Sequence, residues 1–242
     1  LKDRTQLPDG SLVPWTSPIG HVPMRMAATA PEYGWSNLAT ALMPNGSALD
    51  YVARAPYAGA QGDRRVGVEK QNWDESLNSA GVANGYYAPT SGTGFPDPAA
   101  DITGWFSIIV TGGPYDTVPG AQSMIGELTA NHSATGIDDT VAPAPALISS
   151  GWNDDLFPVD EGVQYYNQVR DRHPGTPISL FALDFGHSPR ASSLFTETSR
   201  LTAAEDAWFD HYVKGTGAEP AGAHGGVTAI TTGCSGASRA PG

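Results

Sequence analysis

Two side chains in this sequence have the type and setting of reacting groups. Asp154 lies in Gly151-Trp152-Asn153-Asp154-Asp155-Leu156-Phe157-Pro158, directly after the apolar run Ala146-Leu147-Ile148-Ser149-Ser150. His187 follows Phe185-Gly186, just past the second apolar run, Ile178 to Leu183. A carboxylate that holds an imidazole in one tautomer, and an imidazole that carries a proton, are two of the three parts of a Ser-His-Asp triad. The order acid then histidine, 33 residues apart with a helix-patterned stretch between, brings both groups to the carboxyl edge of a parallel sheet. The spacing from Gly151 and Pro158 favours Asp154 over its neighbour Asp155 as the acid. A plainer reading competes: both aspartates cap the helix that starts at Pro158, where the helix dipole favours carboxylates. A lone loop histidine is more often a surface residue, so the pair carries the argument. The third part of the triad is missing. No Gly-x-Ser-x-Gly occurs, and Gly10-Ser11, Gly46-Ser47 and Gly186-His187-Ser188 all lack the pattern.

The elements that must position this pair are readable around it. Ala146 to Ser150 predicts a strand. Pro158 predicts a helix start, because the first helical position loses nothing by lacking an N–H. Val163, Tyr166 and Val169 then form one face, and His173-Pro174-Gly175 ends that helix. Ile178 to Leu183 predicts the next strand. A last helix runs from about Thr198 to Lys214, with Leu201, Ala204, Trp208 and Tyr212 on one face and Gly215 as its stop. Strand, helix, strand, helix in this rhythm predicts a parallel α/β sheet. Met24 to Pro31 is consistent with a buried strand, which periodicity alone does not separate from a short helix, and Leu7 to Trp15 reads as a loop. Between these regions, residues 32–141 change character. Short amphipathic pieces alternate with Pro44-Asn45-Gly46, Asn84-Gly85, Ser91-Gly92-Thr93-Gly94 and Gly112-Gly113-Pro114. Trp105, Ile108 and Ile109 fit helical spacing, as do Met124, Ile125 and Leu128, with Asp101 and Ser123 as N-caps. So long a run between two strands exceeds ordinary connections, and predicts an inserted, mostly helical cap. The expected division is therefore a core segment 1–31, a cap 32–141, core again 142–216, and a Gly/Ala/Pro/Ser-rich linker 217–242.

Composition narrows the partners. The 242 residues carry 13 basic and 25 acidic side chains, a net charge of −12. Such a chain repels phosphate backbones, which argues against nucleic acid as a partner. Mean hydropathy is −0.26, and no apolar stretch approaches the about 18 residues of a membrane span. Gly 29 and Pro 20 exceed average usage but stay below the range of about 25–30% that marks disorder. Cys234, the single cysteine, is either an inert free thiol or pairs outside the chain. Leu1-Lys2-Asp3-Arg4 shows neither an initiator methionine nor a signal peptide. Asp138-Asp139 with Asp101 has no metal-ligand spacing and reads as a solvated loop. No cofactor is expected. His132 reads as a polar lining or capping residue of the cap that could otherwise face the substrate, and Trp35, Trp105 and Trp152 as packing residues that could otherwise shape an acyl or proline pocket.

The segment Val141-Ala142-Pro143-Ala144-Pro145-Ala146-Leu147-Ile148-Ser149-Ser150-Gly151-Trp152-Asn153-Asp154-Asp155-Leu156-Phe157-Pro158-Val159-Asp160-Glu161 resembles the X-Pro dipeptidyl-peptidase and cocaine-esterase-like branch of α/β-hydrolases. Asn131-His132-Ser133, Trp208 to Gly217, and Pro8-Asp9-Gly10-Ser11 with Trp15 resemble the same group, so the likeness spans nearly the whole chain. The resemblance implies an α/β-hydrolase sheet with a lid, and a serine hydrolase acting on a small ester, amide or X-Pro peptide. It also implies a nucleophilic serine in a Gly-x-Ser-x-Gly elbow upstream of Leu1, and a jelly-roll domain after the linker. On this expectation the chain is part of a parent hydrolase and is inactive alone. The rival class is a non-catalytic α/β module that binds a partner. Haloalkane or epoxide chemistry, with an aspartate as nucleophile, is disfavoured by the resemblance.

Overall fold

A computed structural model describes residues 2–7, 9–43, 67–85, 101–112, 115, 118–187 and 195–231. In order, the elements are β1 (Arg4–Gln6), β2 (Leu12–Pro14), α1 (Leu38–Leu42), α2 (Val68–Asn84), α3 (Ile102–Ile109), α4 (Ala121–Asn131), a 3-10 turn (Ala134–Gly136), β3 (Ala146–Gly151), α5 (Val159–Arg172), β4 (Ile178–Leu183), α6 (Phe195–Tyr212) and β5 (His224–Ala229). They form two compact units. One comprises residues 1–36 and 134–242, the other residues 37–133.

The first unit is a mixed α/β layer around the parallel sheet β3-β4-β5. Every residue of β3 and β4 is buried, as continuous apolar runs are when helices cover both sheet faces. Alternation sorts their side chains. Ala146, Ile148, Ile178 and Leu180 pack with Tyr166 and Val169 of α5. Leu147, Phe181 and Leu183 pack on the opposite face with Leu201 and Trp208 of α6. The α5 helix begins at Val159 with Pro158 as its cap, one residue later than the proline pattern predicts, and ends at His173 as expected. Its first turn carries a buried carboxylate. Glu161 accepts from the backbone N–H of Ser36 (2.9 Å) and from the Ser36 hydroxyl (3.0 Å), fastening the helix to the chain that runs beside β3.

Three sequence expectations are corrected here. Residues 24–31 form no strand. Instead Thr29, Pro31 and Tyr33 run alongside β3: Thr29 donates to Pro145, Pro31 accepts from Ser149, and Tyr33 donates to Ser149. Only isolated bridges result, at Thr29–Ala146 and Glu32–Ser149, because Pro31 in the middle has no N–H for the ladder. Residues 32–36 therefore belong with the sheet rather than with the helical segment, as do residues 134–141. The stretch expected to be a linker from Gly217 instead supplies β5. Its glycines permit a close approach: a Cβ on Gly226 would lie 2.6 Å from the Gly222 Cα, and one on Gly225 2.9 Å from Arg170 Nε. Side chains clamp the strand from its neighbours. The Tyr166 hydroxyl donates to Gly225 O (2.7 Å), Ser179 to Gly222 O (2.7 Å) and Trp152 Nε1 to Ile230 O (2.9 Å).

The second unit, among its described residues, is helical. Asn37 caps α1 by accepting from the N–H groups of Ala39 and Thr40, and Asp101 caps α3 as its position predicts. Ser123 does not cap α4, whose N-cap is Gly120 in a left-handed conformation. Trp105 and Ile109 of α3 meet Met124, Ile125 and Leu128 of α4 in one core, with Ala39, Met43 and Tyr115. The expected turns at Pro44-Asn45-Gly46, Ser91 to Gly94 and Gly113-Pro114 lie outside the described residues.

Asp74 of α2 is 6% exposed. Burial pushes its carboxyl up to about 7, against the pull of Lys70 and with a push from Glu75. An acid whose folded pKa exceeds its unfolded value stabilises the fold while protonated, and that contribution is lost as pH rises through the folded value. The helical unit is therefore expected to lose about 2.7 kcal/mol between pH 5 and pH 8, at about 1.36 kcal/mol for each of the two units from pH 5 to the folded value. Urea midpoints at the two pH values check this: Asp74→Asn should flatten the slope by at least half, and an unchanged slope contradicts the assignment.

Candidate active site

The loops that follow β3 and β4 are pressed together at the carboxyl edge of the sheet, and two glycines make the approach possible. A Cβ on Gly151 would overlap the carbonyl oxygen of Phe185, and one on Gly186 would lie 2.8 Å from the Asp154 Cα. The Trp152 N–H donates to Leu183 O (2.9 Å), and Asn153 Nδ2 donates to Asp184 Oδ1, so the two loops are also stitched by hydrogen bonds.

Within this junction Asp154 and His187 meet, with His187 Nδ1 2.8 Å from Asp154 Oδ2. The other carboxylate oxygen, Oδ1, accepts the N–H groups of Leu156 (2.9 Å) and Phe157 (2.8 Å). The Asp154 side chain is fully buried, whereas the imidazole is 26% exposed. Three donors converge on a carboxylate that can only accept when ionised, and charge-assisted bonds of this kind are the strong ones. With its proton on Nδ1, facing Asp154, the imidazole presents the lone pair of Nε2. Capping and pairing are thus one arrangement: the same aspartate holds the turn into α5 with one oxygen and the histidine with the other. It is Asp154, not Asp155, that makes this contact.

Aromatic rings fix the imidazole from the sides. Tyr33 and Phe157 meet it edge to face, at centroid distances of 4.7 and 5.0 Å. Tyr33 also packs on Phe185, and Phe157 on Trp35, each 5.0 Å away. Such contacts hold the ring's orientation and keep water from its faces. Sequence reasoning missed Tyr33 and Phe157. The signal for Phe157 was its position three residues after Asp154, in the turn that the carboxylate caps. Tyr33 had no local signal, because only its backbone pairing with Ser149 brings it beside His187.

The remaining candidates fall elsewhere. Trp105 packs in the core of the helical unit as expected, but Trp35 and Trp152 are each 43% exposed, too open for core packing. His132 pairs with Glu127 (3.4 Å) in the helical unit. Asp138 accepts from the Thr140 N–H (2.8 Å) and Asp139 faces Arg172 (3.6 Å). Among the described residues no group of three or more His, Cys, Asp or Glu side chains is placed to hold a metal ion. No helix among them is long and apolar enough to cross a membrane. Cys234 lies outside the described residues. Comparison of the chain with known protein families, curated proteins and solved structures found no match.

Proposed function

We propose that this chain supplies the acid and the histidine of a Ser-His-Asp hydrolase, and that residues 37–133 serve as its cap. The observation that carries the reading is the 2.8 Å contact between a fully buried carboxylate and a partly open imidazole, at the carboxyl edge of a parallel sheet. The nucleophilic serine comes from a Gly-x-Ser-x-Gly segment outside these 242 residues. As its Oγ attacks the acyl carbon, Nε2 of His187 takes the hydroxyl proton, and Asp154 stabilises the resulting imidazolium. Backbone N–H groups hold the oxyanion. His187 then gives the proton to the departing alcohol or amine, and the acyl-enzyme forms. Water, deprotonated by His187, cleaves that ester and restores the serine. The rings of Tyr33, Phe157 and Trp35 offer an apolar wall beside the imidazole for part of an ester, amide or X-Pro peptide substrate. The sequence likeness to cocaine-esterase-like and X-Pro dipeptidyl-peptidase hydrolases supports that substrate range.

A second reading, an α/β module that binds without chemistry, is favoured by the lack of any Gly-x-Ser-x-Gly in the chain. One experiment separates the two. The 242-residue chain alone is expected to hydrolyse no member of a panel of aryl esters, amides and X-Pro peptides. The chain joined to an upstream Gly-x-Ser-x-Gly segment is expected to hydrolyse at least one, and to lose that activity with His187→Ala. Turnover by the chain alone that survives His187→Ala would overturn the assignment.

A further inference from the structure

The helical unit holds a half-open cavity of about 190 Å³ between its helices. Its walls are largely apolar: Leu42 of α1, Leu77 of α2, Trp105 and Phe106 of α3, and Leu128 of α4. Two polar side chains of α2 break that lining, Asp74 and Asn78, one helical turn apart and therefore on one face. Among the described residues, Asp74 Oδ2 and Asn78 Oδ1 are buried without a hydrogen-bond partner. Buried acceptors are nearly always satisfied, so two orphans on the wall of one cavity call for a donor within it.

We propose that this cavity is a binding site for a small amphiphilic amine, with its ammonium between Asp74 and Asn78 and its apolar body among Leu42, Trp105, Phe106 and Leu128. The size suits such a guest, since apolar cavities of about 150 Å³ admit a benzene ring. The chemistry selects the head group. An ammonium has three donors and no acceptor, matching two acceptor oxygens, and its charge complements a carboxylate in a low-dielectric wall. A hydroxyl can donate only once, and a carboxylate guest would face Asp74 with like charge. Among the described residues, Lys70 and Glu75 are the charged groups acting on Asp74, and Asp74 in turn acts on Tyr115. Lys70 and Glu75 do not line the cavity, whereas His132 does. The site lies within the helical unit and does not depend on the role assigned to His187.

The test uses the 242-residue chain at pH 8, where Asp74 is ionised, and three probes of matched shape: 2-phenylethylammonium, 2-phenylethanol and 3-phenylpropionate. Calorimetry gives the affinities, and methyl NMR of Leu and Ile locates the binding. The ammonium is expected to bind at least tenfold more tightly than the alcohol, to leave the carboxylate without detectable binding, and to shift the methyl resonances of Leu42, Leu77, Ile102 and Leu128. Asp74→Asn should erase the preference for the ammonium. If that variant does not fold, Asn78→Leu, which removes one acceptor and fills part of the space, should weaken the ammonium at least fivefold. If neither folds, the ranking of the three probes on the unaltered chain decides alone. Equal affinities for ammonium and alcohol, shifts confined to other methyls, or no shift with any probe would overturn the proposal, the last meaning that water alone fills the cavity.

Discussion

Asp154→Asn is expected to lower the hydrolysis rate of the serine-containing polypeptide by about four orders of magnitude while leaving its thermal midpoint nearly unchanged. The loss has the size seen when the orienting carboxylate of a Ser-His-Asp triad becomes its amide. The local geometry dictates which way that amide turns. Leu156 and Phe157 both donate N–H groups to Oδ1, so the carbonyl oxygen of an asparagine must face them. Its NH2 group is then left against Nδ1 of His187, where Oδ2 stood. The imidazole answers by presenting a lone pair at Nδ1 and carrying its proton on Nε2, the tautomer that cannot accept a proton from serine. Steady-state kinetics on the best ester of the panel measures the loss. A decrease below tenfold would mean that Asp154 caps α5 and orients nothing.

Gly151→Val is expected to destabilise the sheet unit by about 3 kcal/mol or more, near the top of the range for forcing extra atoms into a packed site. The new Cβ would overlap the Phe185 carbonyl oxygen, and the loop that carries His187 would have to move away from Asp154. Gly126→Ala in α4 is the control. A Cβ there meets nothing within 4 Å, so this change should be neutral or stabilise by up to about 1 kcal/mol, as alanine does in a helix interior. Urea denaturation of the two variants gives the comparison, and a Gly151→Val protein as stable as Gly126→Ala would refute the close approach of the two loops.

What could be read from the sequence was what local pattern controls. β4 falls on Ile178–Leu183 as expected, and β3 runs one residue past its expected end, because short, mostly apolar segments buried on both faces fit a central strand. Asp101 caps α3 because a carboxylate ahead of a helical pattern satisfies an N–H whatever the tertiary context. The meeting of Asp154 with His187 followed from the two strands being parallel neighbours in register, Gly151 beside Leu183. β5 was hidden because His224-Gly225-Gly226-Val227-Thr228-Ala229 has the composition of a linker. Its place depends on the backbone of Gly222 and on the side chains of Tyr166 and Ser179, all set by tertiary structure. Pro31 hid the pairing at residues 29–33 in the opposite sense: the run looked apolar enough for a strand, but the missing N–H left only bridges. The orphaned oxygens of Asp74 and Asn78 have no sequence signature, since a helix with polar residues at that spacing usually turns them to water.

Labelling with a fluorophosphonate probe shows whether His187, held by Asp154, serves a nucleophilic serine. The polypeptide is this chain joined to an upstream Gly-x-Ser-x-Gly segment, unaltered or with His187→Ala, and the modified residue is mapped by peptide mass. The expected result is modification of one serine within Gly-x-Ser-x-Gly, at least a thousandfold slower in His187→Ala and absent in the 242-residue chain alone. Labelling of equal rate in the two polypeptides would contradict the claim, as would a modified serine within the 242 residues.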